Sequence, residues 1–230
     1  MALRNPRLSS HVNGKFKKFV KKTDAEPLSE NLWNQTEGIR QETLRTYFVQ
    51  GIGNGDLNPT DFGEFMVQDS VYCQKAKASI DIAAEKAFPG PLKEYLSKES
   101  QSYEKYYKTL FKKWHIEDAS GITLDDACKS YAAYENNVAV TEDTIYMIVA
   151  MIPCMKLWPW LGQQLESGKK GVYDEWYNDN FDPTYDGYKE LDKFVDDAAI
   201  TGSIDAQKAL KVYAYCMSGE LAFFGSVQHK

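Results

Sequence analysis

The sequence predicts a single all-α domain, and three observations carry that prediction. Apolar residues recur at helical spacing from Leu28 onward, and short breaks rich in glycine, proline or serine separate the periodic segments. The alternating apolar and polar pattern that is typical of strands is missing. With 43% hydrophobic and 26% charged side chains, the 230 residues have a globular composition. No linker and no solenoid repeat divides the helices, so we predict one domain over residues 29–230.

The first 28 residues differ from the rest in charge. Seven lysines and arginines precede the first acidic residue, Asp24. A basic segment containing serines is compatible with an organelle transit peptide, but no clear apolar face accompanies the lysines. We therefore predict a solvated, flexible arm over residues 1–28. The N-terminal segment lacks the apolar stretch of a secretory signal, and the four cysteines form no CxxC pair. We therefore expect a cytoplasmic protein whose four cysteines are reduced.

The first predicted helix runs from Leu28 to Ile52, with Ser29 as its N-cap and a glycine-rich end. The letters GIGNGD at residues 51–56 lack the third glycine of a dinucleotide-binding loop and follow no strand, so they indicate a helix end. A long second helix begins at Pro59, after Asn58, and ends before Pro89.

The remaining pattern predicts six further helices, over residues 92–116, 124–138, 143–166, 170–181, 184–198 and 203–226. The most apolar stretch is Ile145–Met155, which Asp143 and Lys156 bracket. This stretch is shorter than the about 20 residues that a membrane span needs. We predict a buried central helix bent at Pro153, and no membrane association.

Composition excludes several kinds of chemistry. A net charge of −6 argues against nucleic-acid binding, which needs clustered lysines and arginines. The three histidines are scattered, at His11, His115 and His229, so neither a Ser-His-Asp triad nor a multi-histidine metal site is expected. We therefore expect no metal. Any catalysis would depend on carboxylates, thiols and tyrosines.

Three polar residues interrupt apolar helix faces. Asp69, three residues before Tyr72, would either pair with a basic residue of a neighbouring helix or wait for a ligand, because an unpaired buried charge is costly. Cys154 follows Pro153 and is either a small core residue or a thiol at an opening in the helix. Glu220 lies among aromatic residues after Gly219, and either points to solvent or is a buried acid with a raised pKa.

Two tyrosines, Tyr131 and Tyr134, precede the central helix at a spacing of three. Core packing explains them almost as well as a place in a binding pocket.

Four segments together resemble the TenA / thiaminase II family, in the class that carries an active-site cysteine. They are Leu32-Trp33, Phe48–Cys73, Met151–Leu165 and Ser218–Phe224, and the resemblance spans about residues 30–227. It implies a heme-oxygenase-like helical bundle without a cofactor, which assembles as a homo-oligomer, a tetramer or a dimer. The implied activity is hydrolysis of thiamin or of aminopyrimidines derived from it, which are the expected small-molecule partners.

The resemblance also assigns roles to residues of this chain. Cys154 corresponds to the nucleophile and Glu220 to the catalytic acid/base. The implied substrate-binding residues are Asp69, Tyr72, Phe223 and Tyr131, with Tyr134 as the competing choice for the last.

The sequence departs from the family pattern at three positions. Asn180 stands where a tyrosine is usual, and Lys156 and Trp158 replace an aromatic pair. These departures keep open a non-catalytic carrier of a flat small molecule on the same fold. A heme-handling protein is the second alternative, but it would need an axial ligand such as His11, which has no amphipathic helix around it. A purely structural helical protein is the third.

Overall fold

The computed structural model describes residues 26–227, and that part of the chain contains ten α-helices and no strand. The predicted all-α class is therefore confirmed. The predicted arm over residues 1–28 lies almost wholly outside the described residues. The helices are α1 Leu28–Gln35, α2 Glu37–Leu44, α3 Tyr47–Asn54, α4 Pro59–Lys86, α5 Pro91–Lys113, α6 Asp126–Thr141, α7 Thr144–Leu165, α8 Asp174–Asn180, α9 Tyr188–Thr201 and α10 Ala206–Gly225.

The prediction of one continuous N-terminal helix is wrong, because three short helices replace it. At the first break, the hydroxyl of Thr36 donates to the carbonyls of Leu32 and Trp33, both at 3.1 Å, and satisfies the end of α1. Ser29 is not the N-cap, since Pro27 precedes the helix. The backbone N–H and the hydroxyl of Ser29 instead donate to Asp196 of α9, each at 2.8 Å.

Two predicted helix boundaries are confirmed: a helix ends at the glycine-rich stretch, and the next helix begins at Pro59. Gly55 follows α3 with a left-handed φ of 74°, which favours glycine. Pro59 then begins α4, and the side chain of Asn58 accepts a hydrogen bond from the N–H of Thr60 at 2.8 Å.

The central helix α7 contains both Pro153 and Pro159, and most of it is buried. Its length and composition would suit a membrane span, but other helices cover 72% of its most apolar window. Lys156 does not end this helix. Its ammonium group pairs with Asp192 of α9 at 2.8 Å and lies over the ring of Trp33, so the positive charge is compensated inside the bundle.

The helices around α7 determine which residues meet. Helix α4 packs against α5 and α6, while α10 packs against both α6 and α7. Aromatic rings fill the interior between them, with Phe48 and Phe65 stacked at 3.8 Å and Phe224 5.5 Å from Phe65. Four neighbouring helices thereby bring Asp69, Tyr131, Cys154 and Glu220 into one region.

Candidate active site

A cavity of about 370 Å³ opens between α4, α5, α7 and the segment from α8 to α9. This volume suits a small-molecule ligand. The cavity wall includes Asp69, Tyr72, Cys73, Cys154 and Trp158.

Cys154 meets Glu220 at this wall. The thiol is half-buried on the cavity side, and Glu220 lies behind it with only 3% of its surface exposed. The Cys154 thiol lies near this carboxylate and partly opposes the rise in its pKa. The Tyr131 hydroxyl and the Trp158 indole N–H donate to its two oxygens, each at 2.9 Å. Glu220 therefore does not point to solvent. It is a buried acid, which was the other possibility that the sequence left open.

The glycine before this glutamate makes the contact possible. A Cβ at position 219 would lie 2.7 Å from the ring of Tyr131. Any larger residue would push Tyr131 away, and with it the hydroxyl that donates to Glu220.

Asp69 lies on the cavity wall with 4% of its surface exposed. Among residues 26–227, the Cys73 thiol, at 3.9 Å, is the one hydrogen-bond donor to Asp69, and no lysine, arginine or histidine forms an ion pair with it. A structural ion pair thus does not account for this carboxylate. Its position indicates that it is available to a ligand.

Stacked aromatic rings surround the same place. Tyr72 lines the cavity, its ring lies 4.9 Å from that of Tyr131, and the ring of Phe223 lies 5.7 Å from that of Tyr72. Tyr134 lies elsewhere: it stacks at 3.6 Å on the exposed Tyr215 and does not line the cavity. Tyr131 contacts Glu220, whereas Tyr134 does not, but neither Tyr131 nor Phe223 lines the cavity itself.

Two residues of this site were missed in the sequence. Glu135 is 2% exposed, and one of its carboxylate oxygens accepts a hydrogen bond from the Tyr72 hydroxyl at 3.0 Å, while the other has no partner within the described part of the chain. In the sequence, Trp158 stands out only as a departure from the family pattern. Both could have been found from helical spacing, since Glu135 lies four residues after Tyr131 and Trp158 four residues after Cys154.

Burial governs the protonation of these groups. It raises the pKa of Asp69 to about 7, with a further contribution from the charge of Glu220. It raises the pKa of Glu135 to about 8 and that of Glu220 to about 7, although hydrogen bonds from Trp158 and Tyr131, together with the nearby Cys154 thiol, partly oppose the rise in the pKa of Glu220. It also raises the pKa of the Cys154 thiol well above its ordinary value. The thiol is therefore protonated near neutral pH, beside a carboxyl group that can accept or return a proton.

The two other departures from the family pattern have structural explanations. Lys156 does not line the cavity, because it belongs to the ion pair with Asp192. Asn180 does line it and accepts a hydrogen bond from the Tyr106 hydroxyl of α5 at 2.8 Å, so a phenol from another helix reaches this part of the wall. Among residues 26–227, no group of three metal-binding side chains is arranged to hold an ion.

Comparison with known proteins gives structural matches alone, since neither a family model nor a curated protein matches the sequence. A TenA homologue from Pyrococcus horikoshii OT3 is 18% identical with a TM-score of 0.76, over 88% of this chain and 98% of the other. A TenA-like thiaminase from Sulfolobus solfataricus P2 is 20% identical with a TM-score of 0.66, over 86% and 95% of the two chains. Heme oxygenase-1 from Synechocystis sp. PCC6803 is 15% identical with a TM-score of 0.53, over 88% and 93%. The chain therefore has the heme-oxygenase-like fold, in the form found in TenA homologues.

Proposed function

We propose that this protein is a hydrolase of the TenA / thiaminase II type, which cleaves the bond between a pyrimidine methylene carbon and its nitrogen substituent. The supporting observation is the Cys154 thiol, which lies near the buried Glu220 on the wall of a cavity that also holds Asp69. The substrate is an aminopyrimidine such as 4-amino-5-aminomethyl-2-methylpyrimidine, or thiamin itself. The match in fold to a TenA-like thiaminase supports the same assignment.

Asp69 and the aromatic wall account for recognition of the ring. The amidine edge of an aminopyrimidine donates N–H groups, and a carboxylate acceptor such as Asp69 contributes about 1.5–3 kcal/mol per charge-assisted hydrogen bond. The flat ring lies against Tyr72, and aromatic stacking contributes about 0.5–1.5 kcal/mol beyond burial. The rings of Tyr131 and Phe223 pack against that of Tyr72.

Cys154 and Glu220 carry the chemical steps. Glu220 takes the thiol proton as sulfur bonds to the ring carbon next to the one that bears the methylene group. The electron pair of the 4-amino nitrogen then moves through the ring and expels the substituent nitrogen with the bonding electrons. Water adds to the methylene carbon and loses a proton, and the carbon–sulfur bond breaks to restore the aromatic ring. Glu220 returns its proton to a neutral departing amine, or to the sulfur at the end of the turnover.

The pKa values determine how the rate depends on pH. Glu220 must be ionised to accept the thiol proton, and burial raises its pKa to about 7. We therefore expect kcat/KM to rise with pH through about 7, which a free glutamate would not produce. A rate that is flat between pH 5 and 8 would argue against Glu220 as the base.

Substitution of the thiol tests the proposal. Purified protein is incubated with thiamin and with the aminomethylpyrimidine, and products are followed by chromatography. We expect turnover by the unaltered protein and none by Cys154→Ser, with ligand affinity retained in the variant. Tight binding without turnover by the unaltered protein would instead identify a carrier, and full activity in Cys154→Ser would remove the nucleophile.

Asp69→Asn tests the assignment of the ring-binding carboxylate. The amide keeps the size of the side chain and removes its charge, so we expect binding of the aminopyrimidine to weaken by about tenfold or more. Calorimetric titration measures this loss. An unchanged dissociation constant would mean that Asp69 does not contact the substrate.

A further inference from the structure

Tyr72 and Glu135 form a hydrogen-bonded pair that leads from the cavity into the core. Tyr72 lies on the cavity wall, and its hydroxyl donates to one carboxylate oxygen of Glu135 at 3.0 Å. Glu135 does not line the cavity, and only 2% of its surface is exposed. A proton that leaves the cavity can therefore reach this buried carboxylate through the Tyr72 hydroxyl.

Packing does not account for a carboxyl group at this place. No lysine, arginine or histidine of residues 26–227 forms an ion pair with Glu135. Its second oxygen has no partner in the same part of the chain. A buried carboxylate with one hydrogen bond and no basic partner costs stability, and such groups are concentrated at functional sites.

The proposed hydrolysis leaves one proton without an acceptor. When the sulfur of Cys154 bonds to the pyrimidine ring, Glu220 takes the thiol proton. A positively charged nitrogen, as in thiamin, then departs with the bonding electrons as a neutral group and needs no proton. Glu220 is still protonated when water attacks the methylene carbon, so a second base must take the proton of the water molecule.

We propose that Glu135 is this second base and that Tyr72 relays the proton to it. The proposal rests on the proposed function, because it concerns the water step of the same hydrolysis. As the water oxygen bonds to the methylene carbon, a water proton passes to the Tyr72 oxygen and the phenol proton passes to Glu135. The carbon–sulfur bond then breaks, the sulfur keeps the electron pair, and Glu220 returns the thiol proton. Glu135 releases its proton to solvent by the reverse route, so cleavage of thiamin yields one free proton per turnover.

The acid–base properties of both groups suit a relay. Burial raises the pKa of the Tyr72 hydroxyl well above its ordinary value, so the phenol must pass on a proton for each one that it accepts. Burial, with a contribution from the charge of Glu220, raises the pKa of Glu135 to about 8. A base with this pKa is partly ionised near neutral pH and holds a proton more firmly than an ordinary glutamate does.

Glu135→Gln tests the relay, because the amide can still accept the hydrogen bond from Tyr72 but cannot take its proton. Thiamin is mixed rapidly with the variant at pH 8, and release of the thiazole is followed by quenched-flow chromatography. We expect a burst of about one thiazole per chain, followed by turnover at least about tenfold slower than in the unaltered protein. Mass spectrometry of the quenched variant should show the pyrimidine and its methylene carbon bound to Cys154. The aminomethylpyrimidine gives the same test by release of ammonia, because its ammonium group also departs without a proton from Glu220.

The matched control is Glu85→Gln, which removes an exposed carboxylate of α4 and should leave the kinetics unchanged. Turnover of Glu135→Gln at the unaltered rate would overturn the proposal, and so would slower turnover with neither a burst nor the bound group. Both results would leave the proposed function intact. That function fails if the unaltered protein cleaves neither thiamin nor the aminomethylpyrimidine.

Tyr72→Phe distinguishes a relay from an effect on packing. The variant keeps the ring and removes the hydroxyl, so we expect the same burst and a similar loss of steady-state rate. Because both residues serve one route, Tyr72→Phe combined with Glu135→Gln should be no slower than the slower single variant. Losses that multiply in the double variant would mean that the two residues act independently, and would refute the relay.

Discussion

Glu135 provides the sharpest test of the site's electrostatics, because it is a buried carboxyl group with one unpartnered oxygen. The groups that influence it include its hydrogen-bond partner Tyr72 on α4 and Glu220 on α10. The charge of Glu135 also raises the pKa of other groups on α4 to α7 and α10, and none of these groups is basic. They are Cys73, Tyr103, Cys128, Tyr131, Cys154 and Cys216.

The magnitude follows from the shift of its pKa, from an ordinary 4.5 to about 8. Between these values the folded protein holds a proton that the unfolded chain has released, so the free energy of unfolding falls as pH rises. Each pH unit in this range lowers the free energy of unfolding by about 1.4 kcal/mol. From pH 5 to 8 the loss of stability amounts to about 3–4 kcal/mol.

Glu135→Gln removes the contribution of this carboxyl group to the pH dependence of the free energy of unfolding. The amide imitates the protonated acid and can still accept the hydrogen bond from Tyr72, so the two proteins should differ by less than about 1 kcal/mol at pH 5. At pH 8 the variant should be more stable by about 3 kcal/mol. Urea unfolding followed by tryptophan fluorescence, at one-unit steps from pH 5 to 8, measures both curves.

Glu85→Gln is the matched control, because Glu85 is exposed on α4 and its loss should leave the pH dependence unchanged. Parallel stability curves for Glu135→Gln and the unaltered protein would refute the reasoning. They would mean that Glu135 ionises at nearly the same pH in the folded and unfolded states.

Three further predictions concern the support of the site and the extent of the domain. Trp158→Phe removes a hydrogen bond that lowers the pKa of Glu220, so the acidic limb of kcat/KM should move up by about 0.5–1 pH unit, and an unmoved limb would exclude this role. Gly219→Ala places a methyl group against Tyr131; we expect urea unfolding to show a loss of about 1–3 kcal/mol and assays a reduced kcat, whereas unchanged values would show that the ring adapts freely. Deleting residues 1–25 should leave thermal unfolding and turnover unchanged, because the described cavity is formed without them; loss of folding would place those residues in the domain.

Local signals predicted much of the fold. Asn58-Pro59 and the left-handed Gly55 are short-range features, and the structure shows the predicted helix boundaries there. The apolar periodicity from Leu28 to Ile52 wrongly predicted one continuous helix. Periodicity indicates which face of a helix is buried, but it does not indicate where one helix ends and the next begins. There, Thr36 bonds to carbonyl groups at the end of α1, and the α1 residue Ser29 bonds to Asp196, which is distant in the sequence.

The site was only partly predictable for a related reason. Spacing indicated that Asp69, Cys154 and Glu220 interrupt apolar faces, but it could not choose between Tyr131 and Tyr134, which lie on nearly the same side of α6. The choice depends on Gly219 of another helix, whose missing side chain leaves room for one ring. Contacts of this kind exist only after helices far apart in sequence have packed.

The distribution of buried charge separates a ligand site from a structural core. Elsewhere in the bundle, buried Lys156 has an acidic partner, as is usual for a charge that helps to hold a fold together. Asp69, Glu135 and Glu220 share one region without any basic partner among residues 26–227, and their ionisation near neutral pH destabilises the folded state. A cation in the cavity would reverse that effect by favouring the ionised forms. Ligand binding should therefore stabilise the protein more at pH 8 than at pH 6, whereas a purely structural cluster would show no such dependence.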